Sequence, residues 1–277
     1  MFPNSDGANI NGPSLIRTPE WLTNPLGTYY LYFAHHRGTY IRLATADTLD
    51  GPWTIQGPGT LHGAQLGDMH HIASPDVHVL QDETFRMYFH GRPANSRVQH
   101  TYVAHSADGI NFTPTKEALL PGHPYFRALP LRDGTWMGLS VCEGHAQLWT
   151  SPDGLAWTKK EASLDFSEGT ETYIRHVALR ESGAGLKIYY TRIGDSPERL
   201  RRCDLIGTSI QSHIEIARPE TREEGALIPI RPSKKGPSKR PEHALRDPAW
   251  FIDRDGQNYL LYSVRGEHGI AIGRLLD

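Results

Sequence analysis

The chain has 277 residues, with 29 Lys and Arg against 31 Asp and Glu, which gives a formal net charge of -2. This balance excludes the basic field that binding to a nucleic-acid backbone usually needs, and no stretch approaches the roughly 18 apolar residues of a membrane-spanning helix. The 27 Gly and 20 Pro residues are typical of many short strands joined by turns rather than of a helical protein.

The N-terminal residues and the cysteines add two further expectations. Residues 1–11 lack the basic patch and apolar run of a secretory leader. We therefore expect a cytoplasmic protein or one whose leader has been removed, and the sequence leaves the compartment and the oligomeric state open. Cys142 and Cys203 are too few for a disulfide framework or a cysteine-ligated zinc site.

Aromatic and aliphatic residues form five similar runs, each predicted to be a β-strand. Their central residues are 56, 51, 51 and 72 positions apart: Tyr32, Tyr88, Leu139, Tyr190 and Tyr262. An apolar run precedes each of these strands, and a third strand follows most of them. Four antiparallel strands repeated about every fifty residues indicate an all-β fold, a five-bladed β-propeller in which residues 1–277 form a single domain.

Two turns carry the same signature at the same spacing. Residues 106–112 read Ser-Ala-Asp-Gly-Ile-Asn-Phe, and residues 151–157 read Ser-Pro-Asp-Gly-Leu-Ala-Trp. The Asp-Gly pair supplies the positive φ of a tight hairpin, and we expect the aromatic residue to cover the outer edge of the blade.

The end of the chain differs from the other repeats in two ways. No fourth strand is predicted after Ile272, so we expect residues 1–9 to complete blade five and close the ring. The long last interval coincides with residues 218–242, which include a run rich in Lys and Pro. Two interpretations of this run stay open: a flexible solvated loop, or a mobile rim over the functional site.

Propeller geometry brings the starts of the first strands and the ends of the second strands together around one mouth. Both sets of positions carry charged and imidazole side chains, whereas turns of the opposite face carry turn residues such as Asp50 and Gly51. We therefore predict a polar pocket at the mouth. Its predicted substrate-binding residues are His35, His36, His71, His90, Arg92, Arg127, Tyr173, Arg175, Glu267 and His268.

Arginines are frequent on this predicted mouth. Guanidinium groups bind carboxylate or sulfate in a bidentate manner, which favours an acidic sugar such as a uronate as the substrate. The alternative is that these arginines pair with carboxylates of the protein. They are Arg37, Arg92, Arg127, Arg175 and Arg246.

Four segments resemble the five-bladed furanosidase-type glycosidases, a group that includes glycoside hydrolase family 43 and relatives such as the family 117 anhydrogalactosidases. The segments are residues 29–34, 41–46, 51–53 and 74–79. The resemblance implies glycosidic-bond chemistry, most often inverting. It also implies an Asp before Pro in blade one as general base, an Asp after Pro in blade two that tunes the acid, and a Glu or His of a later blade as general acid.

The two aspartates implied by the resemblance are matched unequally. Asp76 follows a proline in blade two, as the resemblance requires. Blade one departs from the pattern, because Gly12 stands where the base is expected and glycine cannot accept a proton. Asp247 precedes a proline in blade five, and we expect it to replace the missing base, although it could instead pair with Arg246.

Blade four offers three candidates for the acid. Glu171 lies about where the resemblance implies the acid, with His176 and Tyr173 as competitors. Glycoside hydrolysis needs one group that donates a proton and another that is ionised, and histidine can serve as either near neutral pH. Glu171 could also be an ordinary loop carboxylate.

These observations lead to one expected function and two alternatives. We expect an exo-acting glycoside hydrolase that removes a terminal acidic sugar from an oligosaccharide, with no required cofactor. The resemblance also allows a structural calcium ion near the axis, although no short-range histidine spacing of a metal site is present. The alternatives are a lyase that uses His and Tyr beside a uronate, and a catalytically inactive carbohydrate-binding propeller.

Overall fold

The chain folds into five antiparallel β-sheets around a central axis in a computed structural model, which confirms the five-bladed β-propeller. The structure describes residues 9–36, 38–162, 164–183 and 185–276. Blade one comprises β1 (Ile10–Arg17), β2 (Tyr29–His35), β3 (Tyr40–Ala46) and β4 (Thr54–His62). Blade two follows a 3-10 turn at Gly63–Leu66 and comprises β5 (Met69–Val79), β6 (Phe85–Pro93), β7 (His100–Ser106) and β8 (Thr113–Pro114).

The remaining blades follow in chain order. Blade three comprises β9 (Arg127–Pro130), β10 (Trp136–Cys142), β11 (His145–Ser151) and β12 (Thr158–Lys160). Blade four comprises β13 (Tyr173–Ser182), β14 (Gly185–Ile193), β15 (Leu200–Ile206) and β16 (Ser209–Ala217). Blade five comprises β17 (Arg246–Ile252), β18 (Asn258–Ser263) and β19 (Ile270–Arg274).

Blade five has three strands within the described part of the chain. Residues 1–9 were predicted to supply its fourth strand, and residues 1–8 lie outside the described residues. The first strand of blade one nevertheless contacts blade five, because Ile10 N donates to Glu267 O at 2.9 Å.

Apolar side chains fill the spaces between neighbouring blades. Both faces of a second strand such as β2 are buried, because each blade is packed between two others. One cluster joins blades one and two through Tyr32, Phe85 and Phe112. Another joins blade five to blade one through Phe251 and residues of β1 and β2, so the ring closes on apolar packing.

The repeated turn signature connects blade two to blade one and blade three to blade two. Tyr32 of blade one donates its hydroxyl hydrogen to Gly109 O of the blade-two turn at 2.7 Å, and Tyr88 of blade two donates to Gly154 O of the blade-three turn at 2.6 Å. Phe112 is buried against Tyr32. The aromatic residue Phe112 therefore packs between blades. The sequence had instead suggested that it covers the outer edge of its blade.

Polar contacts also close the ring. Asp253 of blade five accepts hydrogen bonds from Arg17 Nη1 at 2.9 Å and from the Tyr29 hydroxyl at 2.6 Å, both of blade one. Over the described residues, the structure contains no helix of the length and apolar character that crossing a membrane requires.

Candidate active site

The first strands change direction where they reach the mouth. Gly12, Ser74, Tyr125 and Asp247 all have positive φ, between 51° and 58°, and each lies at or just before the start of a first strand or at a bulge in it. A bulge re-aims side chains locally. The same backbone device therefore turns residues of four different blades towards the axis.

Asp247 and His176 form an imidazole–carboxylate pair at this position. His176 Nδ1 lies 2.6 Å from Asp247 Oδ1, and Ser263 Oγ donates to Asp247 Oδ2 at 3.0 Å. Burial alone would raise the pKa of Asp247, but His176 outweighs it and holds that pKa well below its usual value. Asp247 is therefore an ionised carboxylate whose charge is directed at His176.

The pair lines a small cavity of about 10 Å³. The cavity is lined by Ser74, Tyr125, Arg127, His176, Val177 and Asp247. A space of this size holds about one water molecule and no sugar ring.

A second imidazole–carboxylate pair lies close to the first. His36 Nδ1 is 2.7 Å from Glu267 Oε2, and the Glu267 side chain is fully buried. Burial would raise the pKa of Glu267, but His36 and Arg246 hold it below its usual value. The charges of the two pairs influence each other, because His36 lowers the pKa of Asp247 and Asp247 acts against the ionisation of Glu267.

Two arginines beneath these pairs share a buried glutamate. Arg246 Nε donates to Glu198 Oε2 at 2.7 Å, and Arg175 Nε lies 2.7 Å from the other oxygen of Glu198. Arg246 also donates to Glu267 at 3.2 Å and to Glu242 at 2.6 Å. Sequence reasoning missed Glu198, Glu242 and Ser263, although Glu198 follows a second strand, where the mouth was expected.

His71, His90 and Tyr125 continue the cluster in blades two and three. The ring centroids of His71 and His90 are 5.5 Å apart, and those of His90 and Tyr125 are 4.3 Å apart. His90 is buried, and neither of its ring nitrogens has a hydrogen-bond partner among the described residues. Burial raises the pKa of Tyr125 to about 12, so its phenol stays protonated at neutral pH.

Burial lowers the pKa of His71 to about 4, although the ring hydrogen-bonds to Gly38 O at 3.0 Å. The unfolded chain takes up this proton near pH 6.5, whereas the folded chain does so only near pH 4, so acid favours unfolding between these values. This shift should make the wild type about 2 kcal/mol less stable at pH 5 than at pH 7.5. We expect His71→Gln to abolish that part of the pH dependence. Urea unfolding at the two pH values measures this loss.

The exposed His145 provides the control for that prediction. His145→Gln should retain the pH dependence of the wild type. An equally steep loss of stability in His71→Gln would show that His71 does not remain neutral in the fold.

Arg127 separates the small cavity from a larger axial one. It donates to Pro75 O at 2.6 Å, to Pro13 O at 3.2 Å and to Asp76 Oδ1 at 3.4 Å, and thus joins blades one, two and three. The axial cavity has a volume of about 560 Å³ and is lined by the second halves of the five first strands. Asp76 lies on its wall rather than in the small cavity.

The Asp76 carboxylate is held on several sides. It accepts a hydrogen bond from Ala128 N at 2.8 Å and lies 3.1 Å from His78 Nε2. Burial would raise its pKa, but His78 and Arg127 lower it. His78 contacts the rings of Tyr88 and Trp136 and also lines the axial cavity.

Gly12 cannot be replaced by the aspartate of the resemblance without strain. Its φ is +58°, and a Cβ atom would lie 2.9 Å from the backbone Cα of Ser74. We expect Gly12→Asp to destabilise the fold by about 2 kcal/mol, because both the left-handed backbone and the contact oppose a side chain. Thermal unfolding would measure the loss, and a variant as stable as the wild type would contradict it.

The remaining predicted residues are distributed around the mouth. Glu171 is exposed, and Tyr173 is 37% exposed, so both lie outside the buried cluster. Arg92, His35 and His268 are half-buried at the rim. Arg37 lies outside the described residues. In the part of the chain that the structure describes, no three His, Cys, Asp or Glu side chains are placed to share a metal ion.

Residues 233–238, here called the strap, lie between the mouth ends of blades four and five. Ser233 and Ser238 are buried, and Arg175 donates to the carbonyl oxygens of Lys234 and Gly236. Residues 219–230 of the same long interval are mostly exposed. Arg175, which also pairs with Glu198, therefore holds the strap at the mouth.

Comparisons with known proteins show a relative and a shared fold. No family model matches the chain. The chain is 37% identical over 305 residues to the uncharacterized protein R118 of Acanthamoeba polyphaga mimivirus, covering 96% of this chain and 83% of that protein. Its fold is similar to that of a thermostable family-43 glycoside hydrolase, with a TM-score of 0.64, 14% identity and coverage of 98% of this chain and 90% of the other. An endo-arabinase from Bacteroides thetaiotaomicron has a TM-score of 0.66 and 12% identity, with coverage of 96% and 94%.

Proposed function

This chain belongs to the same family as the mimivirus protein R118 and has the fold of glycosidase-type propellers, and from this premise we propose that it is a glycoside hydrolase. Its substrate is an oligosaccharide from which one terminal sugar is removed. The observation that carries the proposal is the pair of buried imidazole–carboxylate units at one end of the propeller axis.

The short distance between Asp247 and His176 supports a joint role for the two residues. Groups that act as acid and base on opposite sides of a glycosidic bond are about 6.5–9.5 Å apart in inverting enzymes and about 5–5.5 Å in retaining ones. Atoms 2.6 Å apart therefore act as one unit. Asp247, expected to be the base, instead stabilises a protonated His176 that donates its proton to the leaving oxygen.

The second pair supplies the base in this proposal. His36 accepts a proton from the attacking water, and the negative charge of Glu267 stabilises the imidazolium that results. Glu267 is itself held by Arg246, so its position is fixed before substrate binds. The Tyr125 phenol remains a hydrogen-bond donor for a sugar hydroxyl.

The charges at the mouth favour a neutral sugar. Arg175 and Arg246 face three carboxylates, those of Glu198, Glu242 and Glu267, and Arg127 is occupied by Asp76 and two carbonyl oxygens. These three arginines therefore pair with carboxylates and carbonyl oxygens of the protein itself. The sequence analysis gave this pairing as the alternative to binding an acidic sugar. The charges of Arg127, Arg175 and Arg246 are thus already balanced by carboxylates of the protein.

The test is a panel of neutral and uronate-containing oligosaccharides with analysis of the products. We expect release of a neutral monosaccharide from chain ends. An unsaturated product that absorbs in the near ultraviolet would instead identify a lyase. Saturable binding without turnover would identify a carbohydrate-binding propeller, and cleavage of acidic substrates alone would contradict the neutral sugar.

A further inference from the structure

The strap is fixed at both ends by buried serines. Ser233 N donates to Asp195 O at 2.9 Å, and Ser233 Oγ donates to Arg192 O at 3.2 Å. At the other end, Ser238 N donates to Glu267 Oε2 at 3.3 Å. The strap thus runs from the second-strand end of blade four to the carboxylate of the second imidazole–carboxylate pair.

Between these serines the strap depends on Arg175. Among the described residues, residues 234–237 make no backbone–backbone hydrogen bond. Their carbonyl groups are instead held by Arg175, which reaches Lys234 O and, at 3.3 Å, Gly236 O. A segment held in this way can leave its position without breaking a β-sheet.

With the strap in its present position, the mouth has no room for a sugar ring beside His176. The cavity beside His176 has a volume of about 10 Å³, far below that of a sugar ring. We propose that the strap is a gate over the mouth, that Arg175 is the residue that latches it, and that the gate opens to admit the terminal sugar. The last part rests on the proposed function, whereas the latch does not.

Arg175→Lys tests the latch. Lysine keeps a positive charge near Glu198 but lacks the planar fork that reaches two carbonyl oxygens. The strap carries its own reporter, because trypsin can cut after the exposed Lys234 and Lys235. We expect cleavage there to become about tenfold faster in Arg175→Lys than in the wild type. Cleavage after Lys160, in the outer strand of blade three, should not change and controls for general unfolding.

Access to His176 provides the second measurement. Diethylpyrocarbonate modifies accessible imidazoles, and the His176 side chain is only 14% exposed. We expect faster modification of His176 in Arg175→Lys and in Ser233→Ala, which loosens the other attachment without changing Arg175. If strap cleavage stays at the wild-type rate in Arg175→Lys, or rises with no change at His176, the gate is wrong.

A third measurement separates the gate from the proposed function. The wild type is incubated with arabinotriose, xylotriose or mannotriose. For each sugar, both hydrolysis and the rate of trypsin cleavage in the strap are measured. A trisaccharide that is hydrolysed without faster strap cleavage would overturn the gate and leave the hydrolase standing, with the axial cavity as the other route. The strap could also be cut faster in Arg175→Lys while the wild type hydrolyses none of the oligosaccharides. That result would keep the latch and overturn the hydrolase.

Discussion

Asp247→Asn is expected to lower the turnover number by about 10²- to 10⁴-fold, the usual contribution of a positioned acid or base. Asparagine keeps the shape of the side chain and the contact with Ser263 but removes the charge that stabilises a protonated His176. Initial rates with the preferred oligosaccharide measure the effect, together with the pH dependence of the rate.

Asp255→Asn is the matched control for this prediction. Asp255 lies in an exposed turn of the same blade, and its substitution should leave the rate unchanged. Glu171→Gln provides the decisive comparison, because Glu171 is the other acid that the sequence suggested for blade four. Loss of activity in Glu171→Gln with full activity in Asp247→Asn would show that the catalytic pair has been misassigned.

Arg246→Met is expected to cost about 3–5 kcal/mol of unfolding free energy, the usual effect of removing one partner of a buried ion pair. The Arg246 side chain is 1% exposed, and Glu198 and Glu267, which it pairs with, are fully buried. Methionine fills much of the volume but removes one of the counter-charges of Glu198 and of Glu267. Urea unfolding at neutral pH measures the difference.

Arg254→Met controls for the loss of an arginine. Arg254 pairs with Glu20 at 2.8 Å, but both side chains are exposed, so we expect a cost of about 1 kcal/mol or less. The double variant Arg246→Met, Glu198→Gln should recover part of the loss, because one of the stranded charges is removed. Equal costs for Arg246→Met and Arg254→Met would contradict the buried network.

The repeat in the sequence was sufficient to predict the ring of blades. The spacing of Tyr32, Tyr88, Leu139, Tyr190 and Tyr262 predicted the second strands, and the turns at residues 106–112 and 151–157 predicted the hairpins. These features are local, since a strand and its turn depend on residues within a few positions of each other. The same locality hid the role of Tyr88, whose partner Gly154 belongs to the next blade.

The candidate site was only partly accessible from the sequence. The expectation that first-strand starts and second-strand ends carry the functional groups drew attention to Asp247, His176, His36 and Glu267. It did not show that Asp247 pairs with His176 or that Glu267 pairs with His36. Glu171 and His176 were both candidates for the acid on pattern, and the structure separates them by burial.

The sequence by itself therefore determined the number of blades, the positions of their strands and the end of the axis where polar groups gather. Only the tertiary structure decided which charges neutralise each other and that the strap contacts Arg175 and Glu267. The physical reason is that ion pairs such as His36 with Glu267 join residues at opposite ends of the chain. Their energy depends on distance and burial, and both are fixed only once the ring has closed.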